Sequence, residues 1–348
     1  MNTDFGKNGA RMVFVVSPPR SGSTLVQRMI GSHSEVHTHP EPHLITPLAY
    51  LGYYDTVDKA PFDHINSAEA IRLFVESLPN KEEDYLDALR AYCDTLYGRS
   101  LVPTGKRFFM DKTPAYALVL PFLTKVYPSA KYVVLTRHPL AIFSSFANSF
   151  FDGDWARAHA FNPLVERYVP AIAQFLRGES QSLRERPVPL VHVKYEEVVA
   201  SPERHLERVF SYMGVENEPE AVNYGEKFQG KKGPGDPITV SQHSRPVTDS
   251  LHKWAVELKN DPGKRALAEQ MIARLDDADL EQWGWPRATV FDALEKAGGS
   301  APPKTVLNAY TVQRKIMLTL KDNLNGPHGA PAKSAVQKLR YYCDVLLR

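Results

Sequence analysis

The chain has 348 residues, 43% of them apolar, enough to bury a large core in one extended α/β domain or two. Its formal net charge of +2 excludes the broad basic surface of a nucleic-acid binder, so the charge that matters is local. Two cysteines, Cys93 and Cys343, supply no disulfide framework. With no leader-like or membrane-length apolar run near the N-terminus, they lead us to expect a cytoplasmic protein without a transmembrane segment.

Met12 to Val16 is an apolar run that predicts a buried strand. Ser17, Pro18 and Pro19 break it, Arg20-Ser21-Gly22-Ser23-Thr24 follows, and Leu25, Val26, Met29 and Ile30 recur at helical spacing. Strand, tight polar loop and helix N-terminus together make an anion site, because free backbone N–H groups and the positive end of the helix dipole point at one place. Gly22 lets the backbone come close, the two hydroxyls after it add donors, and Arg20 adds a fixed positive fork. Arg20 to Leu25 are therefore the candidate ligands of a phosphate or phosphate-like group. Directly after this helix stands His37-Thr38-His39-Pro40-Glu41-Pro42-His43. Glu41, His39 and His43 are its candidate proton acceptors. The same histidines have something of metal-ligand spacing, but the interposed prolines and the lack of a second cluster argue for no metal.

Residues 44–105 carry no strong strand pattern. Ile71, Leu73, Phe74, Leu78, Leu86, Leu89 and Tyr92 predict helices that either cap a substrate or cover the sheet. Arg107 to Pro114, RFFMDKTP, predicts a strand ending in Asp111-Lys112. Lys131 to Thr136, KYVVLT, predicts another, running into Arg137-His138-Pro139 and a helix with Ser144 and Ser145. Val188 to Val199 reads as a strand ending in Tyr195-Glu196, and residues 225–250 as a Gly- and Pro-rich loop. Strands alternating with helices predict an α/β fold: a parallel sheet flanked by helices, with ligands at the carboxyl ends of its strands. Arg20, Asp111, Lys112, Arg137 and Tyr195 all fall there. Residues 1–297 are read as the catalytic unit, 298–303 (GGSAPP) as a linker, and 304–348 as a basic helical extension. That extension and the preceding Pro-rich residues carry eight Lys and Arg against Asp322 and Asp344. Its amphipathic faces either pack on the catalytic unit or dock an acidic partner, such as an acyl carrier protein or an anionic membrane face.

The loop is not a Walker A motif, since no Lys precedes its hydroxyl pair. It resembles instead the 5′-phosphosulfate loop of sulfotransferases that use 3′-phosphoadenosine 5′-phosphosulfate (PAPS), and Arg137 and Ser145 have the spacing of that family's 3′-phosphate ligands. The matching blocks run from about residue 12 to 254. They are closer to the bacterial and tyrosyl-protein branch than to the cytosolic branch, whose loop carries Lys at the Arg20 position. The resemblance implies a P-loop-like sheet with a helical cap, and a cofactor site of Arg20, Ser21, Gly22, Ser23, Thr24, Leu25, Arg137, Ser145, Tyr195 and Lys253. Tyr195 would pack on the adenine or sit in the core. Gly235-Asp236-Pro237 and the segment Ser250 to Trp254 resemble the loop that closes over the nucleotide, and Lys231 and Lys232 only loosely echo a cytosolic segment. Glu41 or His43 would be the base, and Lys112 and Arg20 would steady the moving group. The implied reaction moves a sulfuryl group from PAPS to a hydroxyl of a small-molecule or carrier-bound acceptor and releases PAP (3′-phosphoadenosine 5′-phosphate), without metal. Phe150, Phe151 and Trp155 either line the acceptor pocket and favour an apolar acceptor, or belong to the core. The alternative is a P-loop kinase for a small molecule, with Phe108 to Asp111 as a magnesium-holding strand.

Overall fold

The computed structural model describes residues 5, 9–54, 64–179, 187–225 and 243–296, together with six single positions between 316 and 339. Lys231, Lys232, Gly235-Asp236-Pro237, the 298–303 linker and nearly all of the basic extension lie outside the described residues.

Five strands form the sheet: β1 (Met12–Val16), β2 (Val36–Pro40), β3 (Phe108–Lys112), β4 (Lys131–Thr136) and β5 (Leu190–Lys194). All pairings are parallel, in the order β2-β3-β1-β4-β5. The sequence pattern predicts four of these strands. β2 is the addition, hidden inside the histidine-rich segment because His37, Thr38 and His39 break any apolar run.

Alternation along the strands divides the core in two. Met12, Phe14 and Val16 face one side with Phe109, Tyr132 and Val134. That side is covered by α4 (Glu82–Leu101), α5 (Leu120–Val126), α6 (Pro139–Phe150), α7 (Trp155–Phe161) and α8 (Leu164–Leu176). Val13, Val15, Met110, Val133, Leu135 and Val193 face the other side. There they meet α1 (Ser23–Gly31), α9 (Tyr195–Ala200) and α10 (Pro202–Met213). Three later helices, α11 (Lys253–Asn260), α12 (Pro262–Ala273) and α13 (Asp277–Trp283), add Trp254, Met271 and Trp283 to the first side. Within 44–105, α2 (Ile45–Leu48) and α3 (His64–Glu76) precede α4. Leu86, Leu89, Cys93 and Tyr97 of α4 are buried in the core, so this helix covers the sheet. Leu73, Phe74 and Tyr92 are exposed, so the apolar spacing there does not mark core. No helix among the described residues is long and apolar enough to cross a membrane.

β1 and β4 are neighbours whose following helices go to opposite faces. Their carboxyl ends therefore open a crevice, the usual ligand position in a parallel sheet. Two histidines, just past β4 and within β5, stay uncharged near neutral pH. Burial holds His138 at about 3 and His192 at about 4, against an ordinary 6.5. Because both values are depressed in the folded state, their stabilising contribution is present above pH 6.5 and is lost as pH falls. At pH 5 each should cost the fold about 1–2 kcal/mol relative to pH 7.5. Urea unfolding at the two pH values checks this, and His192→Gln should shrink the pH difference by about one histidine's share.

Candidate active site

The loop after β1 is built for close approach. Gly22 has φ 84°, and a Cβ placed there would lie 2.3 Å from the Tyr195 ring. Arg20 also has a positive φ of 68°. The turn delivers Ser23 to the first position of α1, a helix with no side-chain cap and no acidic residue in its first turn. The N–H groups of its first turn have no intrahelical acceptors, so they and the dipole face the loop. Ser17 and Ser21 are fully buried, and neither hydroxyl oxygen has a hydrogen-bond partner among the described residues. Leu25 packs in the core, so only its backbone can serve the loop.

Two groups of side chains converge on this loop. In the first, Arg20 Nε donates to Ser145 Oγ at 3.2 Å, and an Arg137 guanidinium nitrogen donates to the Arg20 carbonyl at 3.0 Å. The Arg137 guanidinium also stacks over the Tyr195 ring at 4.4 Å. Arg20, Ser145, Arg137, Tyr195 and Gly22 thus meet although they are distant in sequence. The neighbouring Ser144 turns the other way and donates to the buried Glu257 at 2.6 Å, so only Ser145 serves the crevice. Tyr195 supports the loop and Arg137 from below.

The second group follows from strand register. Pro40 pairs with Lys112, which places Glu41, one residue past β2, beside the Lys112 ammonium. Lys112 Nζ is 2.5 Å from Glu41 Oε1 and 3.3 Å from Thr24 Oγ1, and its side chain is buried. His43 Nε2 lies 3.6 Å from the other oxygen of Glu41. Glu41 and His43 have φ of 29° and 56°, so with Arg20 they are three of the five described non-glycine residues at positive φ. Such strain collects where the surrounding structure holds functional groups in place.

Asp111 does not face this group. Its carboxylate is wholly buried and accepts from the hydroxyls of Tyr97 at 2.6 Å, Thr113 at 2.9 Å and Tyr116 at 3.0 Å. Burial raises its pKa above the usual value, and the three hydroxyls only partly offset that. It is a core polar centre, which removes the carboxylate on which the kinase alternative relied. The histidines also separate. His37 binds Ser100 Oγ at 3.0 Å, and His39 lies beside the Pro40 carbonyl.

The structure resolves readings that the sequence left open. Trp254 is a core side chain stacked on His138 at 4.0 Å, and Lys253 is exposed beside it. Phe151 and Trp155 are buried in the core, so Phe150, beneath Arg20 at 5.9 Å, is the aromatic of that segment that borders the site. Sequence reasoning also missed Ser17, whose signal is a small hydroxyl residue directly behind a buried strand.

The sequence model of the sulfotransferase family matches residues 12–219, which contain both groups of side chains. The chain belongs to the sulfotransferase family. Among relatives of this sulfotransferase, nodulation protein NoeE of Sinorhizobium fredii is 27% identical over 215 residues. The match covers 58% of this chain and 50% of NoeE, so the chain spans half the length of that relative. Protein-tyrosine sulfotransferase 1 of Danio rerio is 22% identical over 81% of this chain and 77% of its own. The sulfotransferase domain of the Synechococcus PCC 7002 olefin synthase aligns with 22% identity and a TM-score of 0.45, over 70% of this chain and 86% of that one.

Gly22→Ala should destabilise this sulfotransferase by about 2 kcal/mol or more, since a left-handed backbone and a ring contact both oppose a Cβ. Chemical denaturation measures the loss.

Proposed function

We propose that this chain transfers a sulfuryl group from PAPS to a hydroxyl acceptor, using Glu41 as the base. The observation that carries the reading is the pair of buried, unpartnered hydroxyls of Ser17 and Ser21 in the segment that leads from β1 into α1. A buried hydroxyl without a partner costs about 1–3 kcal/mol, and phosphate or sulfate oxygens are acceptors that fit donors arranged in this way. The loop of Ser21, Gly22, Ser23 and Thr24, with the Leu25 N–H, would hold the 5′-phosphosulfate. Arg137 and Ser145 would hold the 3′-phosphate, and Arg20, which touches both, would link the two anion sites.

When bound, the donor supplies a sulfuryl group that passes to the acceptor oxygen as its bond to the 5′-phosphate breaks. The chain's own part is positioning and charge. Lys112 Nζ stands between Thr24 and Glu41, where it neutralises charge that grows on the phosphate side. Glu41 takes the acceptor's proton on a carboxylate oxygen, and His43, on the outer side of that carboxylate, is the route by which the proton leaves. Phe150 borders the loop with an aromatic face, which favours an apolar acceptor, small or carrier-bound.

Two substitutions separate binding from chemistry. Arg137→Ala should weaken PAP binding by about 10- to 100-fold, the loss of one charge-assisted contact. Calorimetry reads it, and unchanged affinity would remove Arg137 from the site. Glu41→Gln should bind PAP normally yet lose about 10²- to 10⁴-fold in turnover, the usual share of a general base. Mass spectrometry of sulfated products across a panel of alcohols, phenols and carrier-bound hydroxyacyl chains reads turnover and identifies the acceptor class. Full activity in Glu41→Gln assigns the proton to His43 or solvent.

A further inference from the structure

The peptide unit joining Arg137 to His138 lies just past the end of β4, where the sheet ladder no longer engages it. Both of its polar groups are nevertheless bound by side chains. The Trp283 indole N–H donates to the Arg137 carbonyl at 2.9 Å, and the His138 N–H donates to Glu196 Oε1 at 3.0 Å. A peptide held at both its C=O and its N–H cannot rotate about its flanking bonds without breaking one contact. The residue that carries this peptide is Arg137, and Pro139 then fixes the start of α6.

The clamp is assembled from distant parts of the chain. Glu196 follows Tyr195, whose ring stacks against Arg137, so one helix start supplies both the ring and the carboxylate. Trp283 ends α13, well past residue 219, where the family match stops. The same late segment grips His138. Its ring stacks on Trp254 at 4.0 Å with planes 19° apart, and its Nε2 donates to the Val290 carbonyl at 2.9 Å. Lys194 crosses the junction as well, reaching the Gly284 carbonyl at 3.3 Å and lying over Trp285 at 5.2 Å. Apart from Tyr195, which also packs on Gly22, these contacts converge on the junction behind Arg137. Their common target is the backbone from which Arg137 projects.

We infer that Trp283 and Glu196 are positioning residues that fix the Arg137–His138 peptide, and so aim the Arg137 guanidinium at a nucleotide 3′-phosphate. The inference rests on the reading of Arg137 given above. It makes residues 253–294 part of the binding apparatus and assigns a tryptophan far from the ligand a share in choosing between nucleotides with and without a 3′-phosphate.

The test compares PAP with adenosine 5′-monophosphate, which lacks that phosphate, by calorimetry on the full chain. Trp283→Phe keeps the buried ring and removes only the N–H. It should weaken PAP by about tenfold and leave the monophosphate within about twofold, the size of one lost hydrogen bond passed on to one contact. Equal weakening of both nucleotides, or of neither, overturns the inference. If wild-type protein does not prefer PAP, the reading of Arg137 itself fails. Should Trp283→Phe not melt cooperatively, Glu196 decides. Glu196→Gln keeps an acceptor for the His138 N–H and should retain the preference for PAP, whereas Glu196→Ala should lose it. Equal preference in those two variants overturns the clamp.

Discussion

The alternation of β3 is the constraint on which the rest of the site depends. Asp111 and Lys112 are adjacent, so a strand must send them to opposite faces. Asp111 enters the side closed by α4 and is taken up by the hydroxyls of Tyr97, Thr113 and Tyr116. Lys112 goes to the side where α1 begins and meets Thr24 and Glu41. A carboxylate without those hydroxyls would be a costly buried polar group, and an ammonium without Glu41 a costly buried charge. The two partnerships fix β3 against α4 on one face, and against the start of α1 and the residue past β2 on the other. They also decide which of two neighbouring charged residues faces the crevice.

The crevice stores strain and unsatisfied polarity that the remainder of the fold must offset. Arg20, Glu41 and His43 hold positive φ, and Ser17 and Ser21 are buried without partners among the described residues. Such features cost roughly 1–3 kcal/mol each, a large part of the usual stability of a domain. What balances them is a two-sided core with Phe14, Tyr132, Trp155, Trp254 and Trp283 fully buried on one side alone. A rigid scaffold lets the donors keep their places before an anion arrives, so binding does not also have to order the loop.

Much of this was legible in the sequence. The β1 loop and Arg137 were marked by their places behind buried strands, and Ser145, Lys112 and Glu41 by the family resemblance; the structure brings them to one crevice. Strand ends carry this signal because burial makes the strand itself apolar, and the first polar residue past it stands at the rim. Less legible were features set by pairing between distant segments. β2 has no apolar run, and its strand character comes from lying alongside β3 with Thr38 donating to the Met110 carbonyl at 2.9 Å. The exposed Leu73, Phe74 and Tyr92 show the converse, since apolar spacing records helical form without saying which face the fold buries.

The clamp on the Arg137–His138 peptide was invisible for a similar reason, and it shows where specificity can reside in such a fold. An arginine that is to meet a ligand needs a charge and a place, and only the charge is written at its own position. Its place is set by a carboxylate at the start of one helix and an indole at the end of another, neither identifiable by residue type alone. A sequence comparison that ends at residue 219 includes Glu196 but not Trp283. Chains that share the loop and the arginine can therefore differ in how firmly that arginine is aimed. Differences in nucleotide preference among them would then come from the helices that follow the shared sheet, while the loop chemistry stays the same.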